Sequence, residues 1–165
     1  MIGIWFPISQ GKFALVDRDL YEEVTRTKWQ YNKERGYVFR TVNRQTESLH
    51  QFVMFTVVKE YTGTIDHKNR EGVDCRRENL RVATFQQNKA NSKSTTGSTS
   101  KYKGVRVRKT IHTGVTIAAQ IMVNGRSIHL GTYDTEQLAA DAYDNAAIVF
   151  FGDFANLNCS WLEER

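Results

Sequence analysis

Lys12 to Asp17, with apolar Phe13 to Val16 set between two charged residues, reads as a strand. Leu20 to Trp29 follows with the spacing of a short helix, for which Asp17 or Asp19 offers a cap. Tyr31 to Val42 reads as a hairpin folded around Lys33-Glu34-Arg35-Gly36. Thr62-Gly63-Thr64-Ile65 is a β-rich approach to Asp66-His67, and Lys68 to Gly72 is a turn. Asn79-Leu80-Arg81-Val82-Ala83 predicts a second short strand. Thr84 then begins a capping box, with Gln87 three positions on, so Asn88 falls in the first turn or so of a helix.

Beyond residue 100 the pattern is sharper. Tyr102 to Arg108, Val115 to Val123 and Arg126 to Tyr133 predict three strands, and Asn124-Gly125 is a two-residue hairpin signal between the last two. Asp134-Thr135-Glu136-Gln137 opens a helix that runs to about Phe151 and ends at Gly152. Leu138, Ala142, Ala146, Val149 and Phe150 recur at three- and four-residue spacing, which makes them the expected inward stripe, and the many alanines let the helix lie close on the sheet. Between the halves, residues 91–100 are almost wholly small and polar, the composition of a flexible linker.

Composition narrows the class. A chain of 165 residues holds one ordinary domain or two small ones. Its net charge of +5 and pI near 9.3 suit an anionic partner. The charge is unevenly spread: Lys93 to Arg126 carries seven Lys or Arg and no acid, whereas Thr132 to Asp153 carries five acids and no Lys or Arg. A basic sheet opposite an acidic helix puts the sheet toward a polyanion, and the major groove of duplex DNA admits β-structure. Cys75 and Cys159 have no metal-finger spacing, which disfavours structural zinc and makes a reducing cytoplasm the simpler expectation. The apolar runs at Phe52 to Val58 and Ala146 to Phe151 are too short to span a bilayer, and the basic n-region of a signal peptide is missing from Met1-Ile2-Gly3-Ile4-Trp5.

The chemistry concentrates in Asp66-His67, Asn79 and Asn88. Asp66 and the Asn88 carbonyl are oxygen ligands of the kind that Mg²⁺ or Mn²⁺ prefers. His67 is the side chain whose ordinary pKa suits proton abstraction from water near neutral pH. Asn79 can hydrogen-bond backbone groups and hold a loop in shape.

Taken in order, Leu49-His50-Gln51-Phe52-Val53, Ile65-Asp66-His67-Lys68-Asn69, Arg77-Glu78-Asn79-Leu80-Arg81-Val82-Ala83-Thr84 and Gln87-Asn88 resemble an HNH nuclease of the ββα-metal class. The similarity is to the phage homing-endonuclease branch, in which Asn replaces the last His. The resemblance implies Asp66 and Asn88 as ligands of one Mg²⁺ or Mn²⁺ per active site, His67 as general base and Asn79 as the loop-fixing residue. His50 matches a His common in the family, and Arg81 joins it as a candidate accessory residue. Where many members carry a second Asn, this chain has Asp74-Cys75, which implies weaker support for the turn.

Residues 101–159 resemble the Apetala/ethylene-response-factor DNA-binding domain, through Tyr102-Lys103-Gly104-Val105-Arg106, Leu130-Gly131-Thr132-Tyr133-Asp134-Thr135 and Ala142-Tyr143-Asp144 among others. That resemblance implies a three-stranded antiparallel sheet on one helix, with Arg106 and Arg108 at DNA-contacting positions. Arg can grip guanine in the major groove, so one or both are expected to read bases, with Lys103 and Lys109 mainly holding phosphates. Ile117 and His129 stand where plant members have Trp, with Gln120 for Glu and Met122 for Arg, so the plant target sequence does not carry over.

The expected protein is therefore α+β: a ββα-metal nuclease module with a β-rich lead-in over residues 1–90, the linker, and a sheet-and-helix module over residues 101–159. Its expected function is metal-dependent, homing-type cleavage of double-stranded DNA in the cytoplasm of a bacterial or phage-infected cell. A silent DNA-binding regulator is the alternative from another class, and a restriction or structure-specific nuclease is the alternative within the same one.

Overall fold

The strand predicted over Lys12 to Asp17 forms as β2 (Phe13–Asp17), paired antiparallel with β1 (Gly3–Pro7), a strand the pattern did not announce, and Ala14 and Val16 turn fully inward. The computed structural model describes residues 2–93, 97–111 and 114–159 as an α+β chain of small antiparallel sheets, in two compact units, Met1–Phe85 and Gln86–Arg165. Of the expected linker, Ser94, Thr95 and Thr96 lie outside the described residues.

The helix predicted over Leu20 to Trp29 is shorter than its pattern. A 3₁₀ turn leads into α1 (Tyr21–Thr25), where the Thr25 hydroxyl donates back to the Tyr21 carbonyl at 2.8 Å. The Trp29 indole N–H then takes the Val24 carbonyl at 2.9 Å, and the chain leaves for β3 (Gln30–Asn32). Neither expected acid caps α1. Asp17 Oδ2 accepts from the Arg77 backbone N–H at 2.9 Å, and both Asp19 oxygens accept from the Arg77 guanidinium at 2.8 Å. A long-range arginine outcompetes the local cap.

The predicted hairpin forms, with β3 antiparallel to β4 (Tyr37–Val42) around a turn in which Asn32 Oδ1 accepts from the Glu34 and Arg35 N–H groups. Asn43 and Arg44, both at positive φ, turn the chain into β5 (Gln45–Ser48). Then comes α2 (Leu49–Val57), where sequence patterning predicted only lead-in and an apolar run. A capping box of Ser48 and Gln51 starts it, and Leu49, Val53 and Met54 bury one side in the core with Phe6, Val16, Val24 and Val38.

Against this core lie β6 (Thr64–His67) and β7 (Leu80–Ala83), paired antiparallel with Asp66 opposite Arg81 and His67 opposite Leu80. Ile65 and Leu80 point inward. The connecting segment is stitched to β2, since Leu15 N–H donates to the Val73 carbonyl at 2.9 Å and Cys75 N–H to the Leu15 carbonyl at 2.8 Å.

In the second unit, β8 (Val105–Thr110), β9 (Gly114–Val123) and β10 (Arg126–Tyr133) form an antiparallel sheet in the order β10-β9-β8. Asn124 and Gly125, both at positive φ, make the predicted tight turn. The helix α4 (Glu136–Phe151) starts under the Thr135 hydroxyl, which accepts from Leu138 N–H at 3.2 Å, and ends at Gly152. Its inward face is turned from the expected stripe. Ala139, Ala140, Tyr143, Ala147 and Phe151 are buried, whereas Leu138 and Val149 are 50% and 80% exposed. Alanines nearest the sheet allow Val105, Ala119 and Ile121 to approach, a stronger constraint than a stripe of larger side chains. Gly104, at positive φ, lies so close to the Tyr143 ring that an added Cβ would fall 1.9 Å from it. The buried Asp144 carboxylate accepts from the backbone N–H groups of Asn158 and Cys159 and ties the later segment to α4.

Apart from its first residue, α3 (Phe85–Asn91) belongs to this second unit, where Ala90 joins Ile121, Tyr143 and Phe151 in one cluster. Parts of the polar run 91–100 are also anchored here. Asn91 and Ser100 are buried, Ser100 donates to Glu136, and Thr99 Oγ1 accepts from Val107 N–H at 3.0 Å.

Candidate active site

Asp66 and His67 are the last two residues of β6, and both are buried, at 4% and 5% exposure. Consecutive strand residues leave opposite faces, and the partners differ accordingly. On one flank Asp66 Oδ2 accepts from Nε of Arg81, its cross-strand neighbour, at 2.8 Å. On the other, the His67 ring stacks on Tyr37 with centroids 5.8 Å apart and meets His50 edge-on at 5.1 Å. The Cys75 sulfur lies 3.7 Å from His67 Nε2, and burial together with the Asp74 charge pushes this thiol up, so it stays protonated.

Burial also sets the histidine. It pushes His67 down to about 4 against the upward pull of the Asp74 carboxylate, so the ring is neutral at ordinary pH. For His50, burial, helped by His67, lowers the value to about 3. His50 Nε2 lies 3.0 Å from the Ser48 hydroxyl, and its Nδ1 is buried with no hydrogen-bond partner among the described residues. Tyr37 reaches His67 because Gly72 lets the hairpin tip approach. A Cβ at Gly72 would sit 2.2 Å from the Gly36 carbonyl oxygen and 2.8 Å from the Tyr37 ring.

Asn79 lies beneath this strand end at 6% exposure. Its amide group donates to Asn69 Oδ1 at 2.9 Å and to the Asp74 carbonyl at 2.7 Å, while its Oδ1 accepts from Asn69 N–H at 3.0 Å. The Asp74-Cys75 pair, from which weaker turn support was expected, supplies its own. Asp74 Oδ2 accepts from Asn69 Nδ2 at 2.9 Å, and the carboxylate is also held by the Arg76 guanidinium at 2.8 Å. Burial alone would raise the Asp74 carboxyl, but the bonds from Arg76 and Asn69 outweigh it and hold it below its ordinary value.

Asn88 is the fourth residue of α3 and half-buried. The end of its helix is held by Lys103, whose ammonium donates to the carbonyls of Lys89 at 3.4 Å, Ser92 at 2.6 Å and Ala90. These are the orphan acceptors of a helix C-terminus. Where the sequence suggested a phosphate contact, the structure gives Lys103 an intramolecular one. Arg106, Arg108 and Lys109 are exposed on β8, with Val105 turned inward between Gly104 and Arg106. With the Gln120 amide oriented to accept, Arg106 donates to its oxygen from Nε at 2.9 Å and from a terminal nitrogen at 3.1 Å.

Sequence reasoning did not foresee the aromatic and imidazole wall around His67. The signal for α2, which carries His50, was the Ser48-x-x-Gln51 capping box. Nothing local announces that Tyr37 stacks on His67. Among the described residues, no group of three or more His, Cys, Asp or Glu side chains gathers as a metal cluster, and no helix is long and apolar enough to cross a membrane.

The chain is thus a basic α+β protein with a buried acid–histidine pair at a strand end, over an asparagine-braced turn. Comparison with known proteins gives the family. The chain is 30% identical over 153 residues, 91% of its length and 76% of the relative's, to an uncharacterized HNH endonuclease of Acanthamoeba polyphaga mimivirus. It belongs to the HNH endonuclease family. No family model matches the chain.

Proposed function

We propose that the protein is a metal-dependent DNA endonuclease of the ββα-metal class, with the acid–histidine pair at the end of β6 at its chemical centre. The observation that carries this reading is the strand end itself: a buried carboxylate and a buried, neutral imidazole on opposite flanks of one ribbon. Phosphoryl transfer places the attacking and leaving oxygens roughly in line. A base on one flank and a cation-binding carboxylate on the other suit a phosphodiester lying across the end of β6.

The residues fit a hard divalent ion. Asp66 and Asn88 offer oxygen donors, and Asp66 already faces a positive group, the Arg81 guanidinium, at 2.8 Å. Asp66 and Asn88 would hold a single Mg²⁺ or Mn²⁺, which when bound stabilises charge growing on the leaving oxygen. His67 takes the proton from the attacking water as its oxygen bonds to phosphorus and the bond to the leaving sugar oxygen breaks. Asn79 and Asp74 hold the turn that follows His67, and Tyr37 and His50 fix the plane of its ring.

The second unit supplies binding and target choice, in keeping with the Apetala/ethylene-response-factor resemblance. Arg106 and Arg108 leave one exposed face of β8, and Arg can grip guanine by two hydrogen bonds in the major groove. A cutter joined to a separate reader favours a homing-type role. The test is cleavage of supercoiled and linear DNA with and without Mg²⁺, by wild type, Asp66→Asn and Asn88→Ala. Cleavage should require the ion, and both variants should need more of it. Equal cutting in chelator would refute the metal-dependent reading.

A further inference from the structure

We propose that Arg81 serves two partners in turn: it neutralises Asp66 in the metal-free protein, then yields that carboxylate to the ion and grips the scissile phosphate. This rests on Asp66 being a metal ligand. Three observations carry it.

Asp66 is 4% exposed, and a carboxylate taken out of water is costly without a compensating charge. The charge is present: Arg81 Nε donates to Asp66 Oδ2 at 2.8 Å, across the register pair Asp66–Arg81. The same oxygen is a natural ligand atom, and a guanidinium and a divalent ion on one oxygen repel strongly in a half-buried site. Binding of the ion at that oxygen therefore requires the guanidinium to move.

Where it goes follows from chemistry and position. The Arg81 side chain is 16% exposed, more than the carboxylate it covers, so it has a path outward along its own flank. That flank is the one opposite the His67 ring, where charge accumulates on the phosphate and the leaving oxygen. A guanidinium is a planar fork matched to two phosphate oxygens, which a lysine ammonium at the same place is not.

The test uses the full chain. Mn²⁺ is titrated into DNA-free protein with the free ion read by electron paramagnetic resonance, and single-turnover cleavage is measured separately at saturating Mn²⁺. Arg81→Gln should bind Mn²⁺ about tenfold or more tightly, because a close competing charge is gone. Its saturated cleavage rate should fall about 10²–10³-fold, the usual effect of losing one transition-state donor. Arg81→Lys, which keeps the charge and the fold, should bind Mn²⁺ as wild type does and recover only part of the rate. Unchanged or weaker Mn²⁺ binding by Arg81→Gln overturns the exchange, and an unchanged saturated rate overturns the phosphate contact. Asp66→Asn separates the underlying reading: Mn²⁺ binding as tight as wild type there would mean that Asp66 is not a ligand. Loss of binding there with unaltered affinity in Arg81→Gln would remove Arg81 alone.

Discussion

Replacing Asn79 by Ala removes the brace beneath the strand end. The lost contacts are two donations, to Asn69 Oδ1 and the Asp74 carbonyl, and one acceptance from Asn69 N–H. At about 1 kcal/mol net for each bond the loss is about 3 kcal/mol, and the freed Asp74 carbonyl, buried with no replacement partner, pushes it higher. For a unit the size of Met1–Phe85, such a loss lowers the melting midpoint by roughly 12 °C or more. Asn79→Asp sharpens the test. It keeps the acceptor for Asn69 N–H but sets a charged oxygen against Asn69 Oδ1 and the Asp74 carbonyl, so it should be no better than Ala. Thermal and urea unfolding of the full chain, followed by circular dichroism, reads both. A change below about 0.5 kcal/mol for Ala, the scale of a neutral surface substitution, would refute the brace. So would an Asp variant clearly more stable than Ala.

Three further predictions concern other elements. Gly104→Ala should destabilise the second unit by more than about 1 kcal/mol, since it combines a positive φ with a clash against Tyr143, and its melting curve checks this. Lys103→Met should speed hydrogen exchange at the end of α3 yet leave the salt slope of DNA binding unchanged, whereas loss of a phosphate contact would flatten that slope by about one. His50 binds a proton near 6.5 when unfolded and only near 3 when folded, so the unfolded state holds more protons between those values and stability falls as pH drops through that window. Melting midpoints recorded from neutral to acid pH should show a shallower decline for His50→Gln.

Much of the secondary structure was legible because its signals are local. Two strand-like runs around Asn124-Gly125 marked β9 and β10, and the Thr135 cap and Gly152 bounded α4. The pairing of β6 with β7 followed from two short runs around a polar turn. The rest depends on partners distant in sequence. Asp17 and Asp19 look like caps until Arg77, some 60 residues on, claims them. The face of α4 could not be told from spacing, since apolar residues occupy several sides of the helix and only the sheet decides which of them is buried. At the candidate site, residue types pointed to Asp66, His67 and Asn79. Tyr37 and His50 around the imidazole, and the guanidinium on Asp66, are products of tertiary packing.

The central claim is that His67 removes the proton from the attacking water, and single-turnover cleavage at saturating Mg²⁺ by wild type and His67→Ala tests it most directly, with DNA affinity measured in parallel. The variant should cut about 10²–10⁴-fold more slowly while binding DNA as wild type does. Cleavage at the wild-type rate would contradict the account.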